Sequence, residues 1–230
     1  MKPFQKIKFG STELVLNKEE AARISKDTKE VFGLYRKQVN GECDLFVERH
    51  NVATMLEEIV EELRKHPNVF RQGLGKLRCT IHVSDILFAN SLYQLLDYYP
   101  GSQGKGRIKS IRFGIIGKAW RSRKSITQGE IPTDTEDLIV NWGMTRGEAT
   151  IAGVSKQSFS CVVLRDENTV PVGIFYMDAE EKNAFAVNTM TKEELHKLVT
   201  DKCEEKGLTE ILAKLNEELR GRAPLIRIYD

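Results

Sequence analysis

Apolar and polar positions alternate along this chain with two different periods, and the changes of period divide it into elements. Residues 1–17 alternate around Gly10-Ser11, with Ile7 and Phe9 before it and Leu14 and Leu16 after, which predicts a short hairpin. Lys18 to Val39 is helical in pattern and strongly charged, with Gly33 midway and Asn40-Gly41 as the expected stop. Val52, Met55, Leu56, Ile59, Val60 and Leu63 then form one apolar stripe at helical spacing. Asn51 can cap that helix, and His66-Pro67 ends it. Residues 76–84 switch to alternation: Leu77, Cys79, Ile81 and Val83 face one way, Arg78, Thr80 and His82 the other.

Asp85 to Tyr99 reads as a helix-like stretch or an ordered loop, and Gly101 to Gly106 as a flexible turn. Ile108 to Ile116 predicts a second strand, turned by Gly117 into a short helix over Lys118 to Arg123, with a brief strand over Ser125 to Gln128. Two short helices follow, each opening on a possible capping box, Thr133 with Glu136 and Thr145 with Glu148. Leu138, Ile139 and Trp142 give the first an apolar face, with Gly143 as its stop, and Gly153 is the expected stop of the second. Residues 158–164 and 170–177, joined by a turn at Asp166 to Thr169, predict an antiparallel hairpin. The second strand is apolar on both faces, so it belongs in the middle of a sheet covered on both sides. Thr191 and Glu194 open another helix, Gly207 closes it, and Leu208, Ile211, Leu212, Leu215 and Leu219 stripe the last, with Gly221 as its expected end. The tail from Leu225 to Tyr229 is strand-like.

This order predicts an α+β fold. A central antiparallel sheet of about five or six strands carries terminal helices on one face and short helices on the other. The segments "SIRFGIIGKAWRSRKSI", "LIVNWGMTRGEA" and "SFSCVVLRDENTVPVGIFYMDA", spanning residues 110–178, resemble a GAF domain, a small-molecule sensory fold related to PAS. The likeness extends over about residues 51–205. It divides the chain into an N-terminal extension, 1–50, a GAF-like domain, 51–205, and a C-terminal helix and tail, 206–230. No phosphodiesterase-type N-K-x-D-E set is present and no cysteine sits in a bilin-attachment context, so neither cyclic GMP nor a bilin is implied, and no cofactor is assigned.

The resemblance implies a ligand between the sheet and the short helices. Candidate contacts there are Ile115, Gly117, Lys118, Trp120, Arg121, Arg123, Trp142, Met144, Thr145, Glu148 and Tyr176. If Gly117 opens a helix, its free N–H groups would favour an anion, and Lys118, Arg121, Arg123 and Lys124 would pair with it. The same residues also read as a solvated face anchored by Trp120. Trp142, Met144 and Tyr176 could line an apolar pocket but read first as core packing, and Thr145 and Glu148 as cap residues.

Composition and charge bound the reading further. The chain has 230 residues, 40% hydrophobic and 30% charged, enough for a substantial core. The net charge of +2 predicts no nucleic-acid partner, although Gly101 to Thr127 holds eight Lys/Arg and no acid. No run approaches the about 20 apolar residues of a membrane span, and the start does not read as a signal peptide. Four scattered cysteines suit free thiols in a reducing cytoplasm. His82 stands alone without metal-ligand spacing. No GxSxG, HExxH, P-loop or acid–base pair is present, so no catalytic role is assigned.

The expected function is a cytoplasmic sensory module that binds a small ligand, anionic in one reading, and signals through terminal helices, as a homodimer or to an output protein. The alternatives are an interaction scaffold with a degenerate pocket and a redox enzyme. One GAF branch reduces free methionine sulfoxide with loop cysteines, whereas Cys79 and Cys161 here fall within strands. Nucleic-acid binding through residues 105–124 lacks the aromatic interleaving of single-strand binders.

Overall fold

The computed structural model describes residues 5–9, 12–16, 18–74, 76–88, 90–101, 103–151 and 156–220. β1 (Gln5–Phe9) and β2 (Thr12–Leu16) form the expected antiparallel hairpin. It is followed by α1 (Lys18–Arg49) and α2 (Val52–Lys65). The main sheet is built from β3 (Leu77–Ser84), β4 (Ser91–Gln94), β5 (Ile108–Ser110), β6 (Ile126–Gln128), β7 (Ser158–Arg165) and β8 (Pro171–Ala179). Between these strands lie α3 (Gly114–Ser122), α4 (Thr135–Val140) and α5 (Arg146–Ile151). The chain continues in α6 (Lys192–Glu205) and α7 (Leu208–Arg220).

The strand order is β5-β4-β3-β8-β7-β6, and every pairing is antiparallel. β8 therefore runs down the middle, with β3 on one side and β7 on the other. Its apolar residues on both faces explain this, since eight of its nine residues are buried. The α+β arrangement that the resemblance implied is the one observed.

Two buried clusters lie on opposite faces. One joins Leu77, Cys79, Ile81, Val83, Phe175 and Met177 to the stripes of α1, α2, α6 and α7. The other joins Phe159, Cys161, Ile174 and Tyr176 to α3 through Ala119 and to α4 through Leu138. α1 is fixed by a paired hydrogen bond: the Arg36 guanidinium donates to both carboxylate oxygens of Asp85, at 3.0 and 2.7 Å, where the Asp85 side chain is fully buried.

Several local expectations are corrected. α1 does not stop at Asn40-Gly41 but runs to Arg49. Val39, Cys43, Phe46 and Val47 keep helical spacing and are buried, and that burial outweighs the roughly 1 kcal/mol cost of one interior glycine. Asn51 occupies the N-cap of α2 in a left-handed conformation, φ 53, and its side chain caps nothing. The Asp85–Tyr99 stretch contains β4, not a helix. The second strand ends at Ser110, and the positive φ that turns the chain is at Gly114, φ 67, three residues before Gly117. The cap of α4 is Asp134, which accepts from the backbone of Glu136 and Asp137, in place of Thr133. At Thr191 the expected capping box is present, with both of its hydrogen bonds made. The side chain of Glu148, the α5 stop at Gly153, the α7 stop at Gly221 and the tail at 225–229 lie outside the described residues.

Candidate functional site

Strand alternation sends Arg78, Thr80 and His82 of β3 to the face covered by the short helices. That face is buried, not solvent-facing: Thr80 and His82 are 0% and 1% exposed. Cross-strand register sets the neighbours. His82 lies opposite Gln94 on β4 and Ile174 on β8, Thr80 opposite Tyr176, and Arg78 opposite Asp178. A polar cluster thus spans three adjacent strands beneath α3 and α4.

Part of the cluster is satisfied. Thr80 Oγ1 donates to the Leu96 carbonyl at 2.7 Å, and Gln94 Nε2 donates to Thr80 Oγ1 at 3.3 Å and to Leu96 O at 3.0 Å. Arg78 Nε donates to Asp178 Oδ1 at 2.8 Å, with its guanidinium 4.9 Å from the centre of the Tyr98 ring. Lys156 Nζ lies 3.4 Å from the Tyr176 hydroxyl and 4.0 Å from Asp178 Oδ2. The rest is not satisfied: both nitrogens of His82, Gln94 Oε1 and Asp178 Oδ2 are buried without a hydrogen-bond partner.

Burial sets the titration of these groups. It holds His82 down at about 3, with Lys109 and Lys156 adding repulsion, so the imidazole is neutral at pH 7. Burial, and then the Asp178 charge, push Tyr98 up to about 12 and Tyr176 well above the phenol range. Burial also lowers Lys156 against the pull of Asp178. Among the described residues, no group of three His, Cys, Asp or Glu is gathered to hold a metal.

The residues singled out in the sequence separate in space. Trp142 meets Phe159 edge to face at 5.3 Å, and Tyr176 is buried between His82, at 5.8 Å, and Tyr98, at 6.4 Å. Ile115, Trp120 and Met144 are partly buried against the same cluster. Gly117 sits inside α3, not at its start, with its α-carbon packed on the backbone of Ser110 and Ile111. Lys118, Arg121 and Arg123 are exposed: Lys118 Nζ reaches the Asn141 carbonyl at 3.4 Å, Arg121 donates to the Ile111 carbonyl, and the Arg123 carbonyl accepts from Arg165. Thr145 precedes α5, and its carbonyl accepts from Ala149.

Sequence reasoning did not single out Gln94, Tyr98, Lys156 or Asp178, and it read the Arg78–Thr80–His82 face as merely polar. The available signal was polar residues at every second position of β3, whose other face is wholly apolar.

No family model matches the chain, and no curated protein does. Among solved structures it is similar to the type II free methionine-R-sulfoxide reductase from Thermoplasma acidophilum, at 14% identity over 76% of this chain and 96% of that one, with a TM-score of 0.45. It is also similar to the GAF domain of a two-component sensor histidine kinase from Bacillus halodurans, at 16% identity over 74% and 97%, with a TM-score of 0.45. A third is the GAF-B domain of DevS from Mycobacterium smegmatis, at 11% identity over 73% and 98%, with a TM-score of 0.43. No helix among the described residues is long and apolar enough to cross a membrane.

Proposed function

We propose that this chain is a small-molecule sensory module whose ligand occupies the polar sheet face under α3 and α4. The observation that carries the reading is a set of buried atoms on neighbouring strands that make no hydrogen bond: His82 Nδ1 and Nε2, Gln94 Oε1 and Asp178 Oδ2, the last 4.0 Å from the Lys156 ammonium. Each such atom costs about 1–3 kcal/mol when left unpaired, so a ligand that pairs them is selected by chemistry. It carries donors for Gln94 and Asp178 and a group that exchanges a hydrogen bond with neutral His82. Trp142, Met144 and Ile115 supply apolar walls, as small-ligand sites require.

The output surface in this reading is α1, where Leu34 and Leu45 are 69% and 56% exposed and lie three helical turns apart on one face. Self-association through that face makes the module a homodimer. Four buried free cysteines suit a reducing cytoplasm. Burial pushes their thiols above the usual range, which argues against thiol redox catalysis.

Mass spectrometry of molecules released from denatured protein, followed by thermal-shift screening of polar metabolites, tests the reading. A ligand should raise Tm in the wild type and fail to do so in His82→Leu and Asp178→Asn. Equal shifts in the wild type and both variants would sink it. One observation favours a second reading, an interaction scaffold: Trp142 on Phe159, and Tyr176 between His82 and Tyr98, fill much of the face with the chain's own side chains. That reading expects no small molecule to raise Tm.

A further inference from the structure

On the other side of the molecule a cavity of about 460 Å³ opens where the loop after β8 meets β6, the segment before β3 and the start of α6. Its lining includes Arg71, Thr127, Asn183, Ala186, Asn188 and Lys192, and no carboxylate among the described residues.

Three observations make this a built site. First, the loop 183–188 holds three non-glycine residues at positive φ: Asn183 at 51°, Ala186 at 53° and Asn188 at 56°. Such conformations are costly, above all for alanine, and they concentrate at binding sites. The loop is locked in this form. Asn183 N donates to Gly129 O at 2.6 Å, Ala186 N to Val69 O at 3.0 Å, and Val187 N to Asn68 O at 2.9 Å, while Arg71 N donates to Ala184 O at 3.0 Å.

Second, Thr127 is 5% exposed yet lines the cavity, and its hydroxyl is part of a chain. Thr127 Oγ1 lies 2.7 Å from Ser160 Oγ and 2.8 Å from His196 Nε2. Burial lowers the His196 pKa, against the pull of Glu193, which keeps the ring neutral at pH 7. The chain ends on α6, one turn from the helix start.

Third, the cations here are uncommitted. Among the described residues the Arg71 guanidinium donates to the Lys182 carbonyl, at 3.4 Å, and neither Arg71 nor Lys192 has a carboxylate partner. Arg71 also lines a neighbouring cavity of about 740 Å³, where Arg64, Lys76 and Arg78 are each held by a carboxylate, of Glu61, Glu180 and Asp178 in turn, and where, among the described residues, Arg71 is not so held.

We propose that the smaller cavity is a second binding site, for the phosphate group of a small phosphorylated molecule, held between Arg71 and Lys192 with Thr127 donating its hydroxyl. Two cations and no lining acid suit a group that carries close to two negative charges near neutrality. When Thr127 donates to the phosphate, its oxygen accepts from His196 Nε2–H, so occupancy fixes the tautomer of a ring on α6.

The test is calorimetric titration of the full chain with inorganic phosphate, at ionic strength held constant with chloride, alongside nitrogen-15 spectra of the histidine rings. The expected result is saturable binding, weakened at least about tenfold by Arg71→Gln and by Lys192→Gln. Arg121→Gln, in the exposed basic run on α3, should leave binding unchanged, and the His196 resonances should move in step with saturation. His82→Leu should also leave phosphate binding intact, so this site stands or falls separately from the sheet-face reading. Absence of saturable binding, equal loss with Arg121→Gln, tighter binding of succinate than of phosphate, or an unmoved His196 ring would each overturn the proposal.

Discussion

His82 makes the fold sensitive to mild acid. Its ring is 1% exposed, neither nitrogen has a partner, and burial holds its pKa at about 3 against an ordinary 6.5. The unfolded chain therefore takes up a proton near pH 6.5 that the folded chain refuses. The folded-state pKa is depressed, so the stabilising contribution is complete above 6.5 and is lost as pH falls below it. Each pH unit below 6.5 removes about 1.4 kcal/mol until the folded ring begins to titrate. Between pH 7.5 and pH 5 the loss is about 2 kcal/mol, and it depends little on the folded value so long as that stays well below 5. Urea unfolding at both pH values measures it. In His82→Leu the pH-dependent loss should shrink by about 2 kcal/mol, with a smaller remainder from His196, whose pKa burial also lowers. If His82→Leu keeps the full wild-type loss, the ring is solvated or paired and the account of the polar face fails with it.

Gly117→Ala should destabilise by about 1–3 kcal/mol in the same assay, because the new Cβ would lie 2.6 Å from the Ile111 carbonyl oxygen and 2.9 Å from that of Ser110, backbone atoms with little room to yield. Gly33→Ala, inside α1 with nothing within 4 Å, should instead stabilise by about 0.5–1 kcal/mol, and a gain at Gly117 would show that α3 does not pack on β5. The four thiols should be silent to Ellman's reagent in native buffer and fully reactive in guanidinium, since all are buried; prompt native reaction of any one would place it at the surface. Light scattering should show a dimer that Leu34→Glu with Leu45→Glu converts to monomer, and a wild-type monomer at high concentration would remove α1 as an association face.

The sheet was legible because its periodicities are strong. The double-sided apolar run of β8 located the centre, and the stripes of α2, α6 and α7 located the layer beneath. Boundaries failed where tertiary burial outweighed local signals, as at Asn40-Gly41, or where two glycines competed for one turn, as at Gly114 and Gly117. The candidate site was only half legible. The basic run 118–124 is dense in sequence but not in space, because a helix turns successive residues by about 100° and scatters them. Lys105 goes to Asp44 at 2.8 Å and Arg121 to a carbonyl. The cations that do assemble, Arg64, Lys65, Arg71, Lys76 and Arg78, come from a helix end, a loop and a strand start. That convergence is a property of the fold, and no spacing rule along the chain reports it.

β3 and β8 carry two unlike jobs on opposite faces of one backbone. Leu77, Cys79, Ile81 and Val83, with Phe175 and Met177, seal one face to the terminal helices, and that apolar burial stabilises the fold. Arg78, Thr80, His82, Tyr176 and Asp178 occupy the other face, where unpaired atoms make stability worse. A face that only had to hold the short helices would be better built from leucine and valine. The odd and even positions are separated by one residue of a paired strand, so moving His82 or Tyr176 moves Ile81 or Phe175 with it. Close-packed interiors do not absorb such shifts locally. In the proposed reading, a ligand that satisfied the polar face would act on the helix layer through a wall one strand thick, with no need of a hinge or mobile lid.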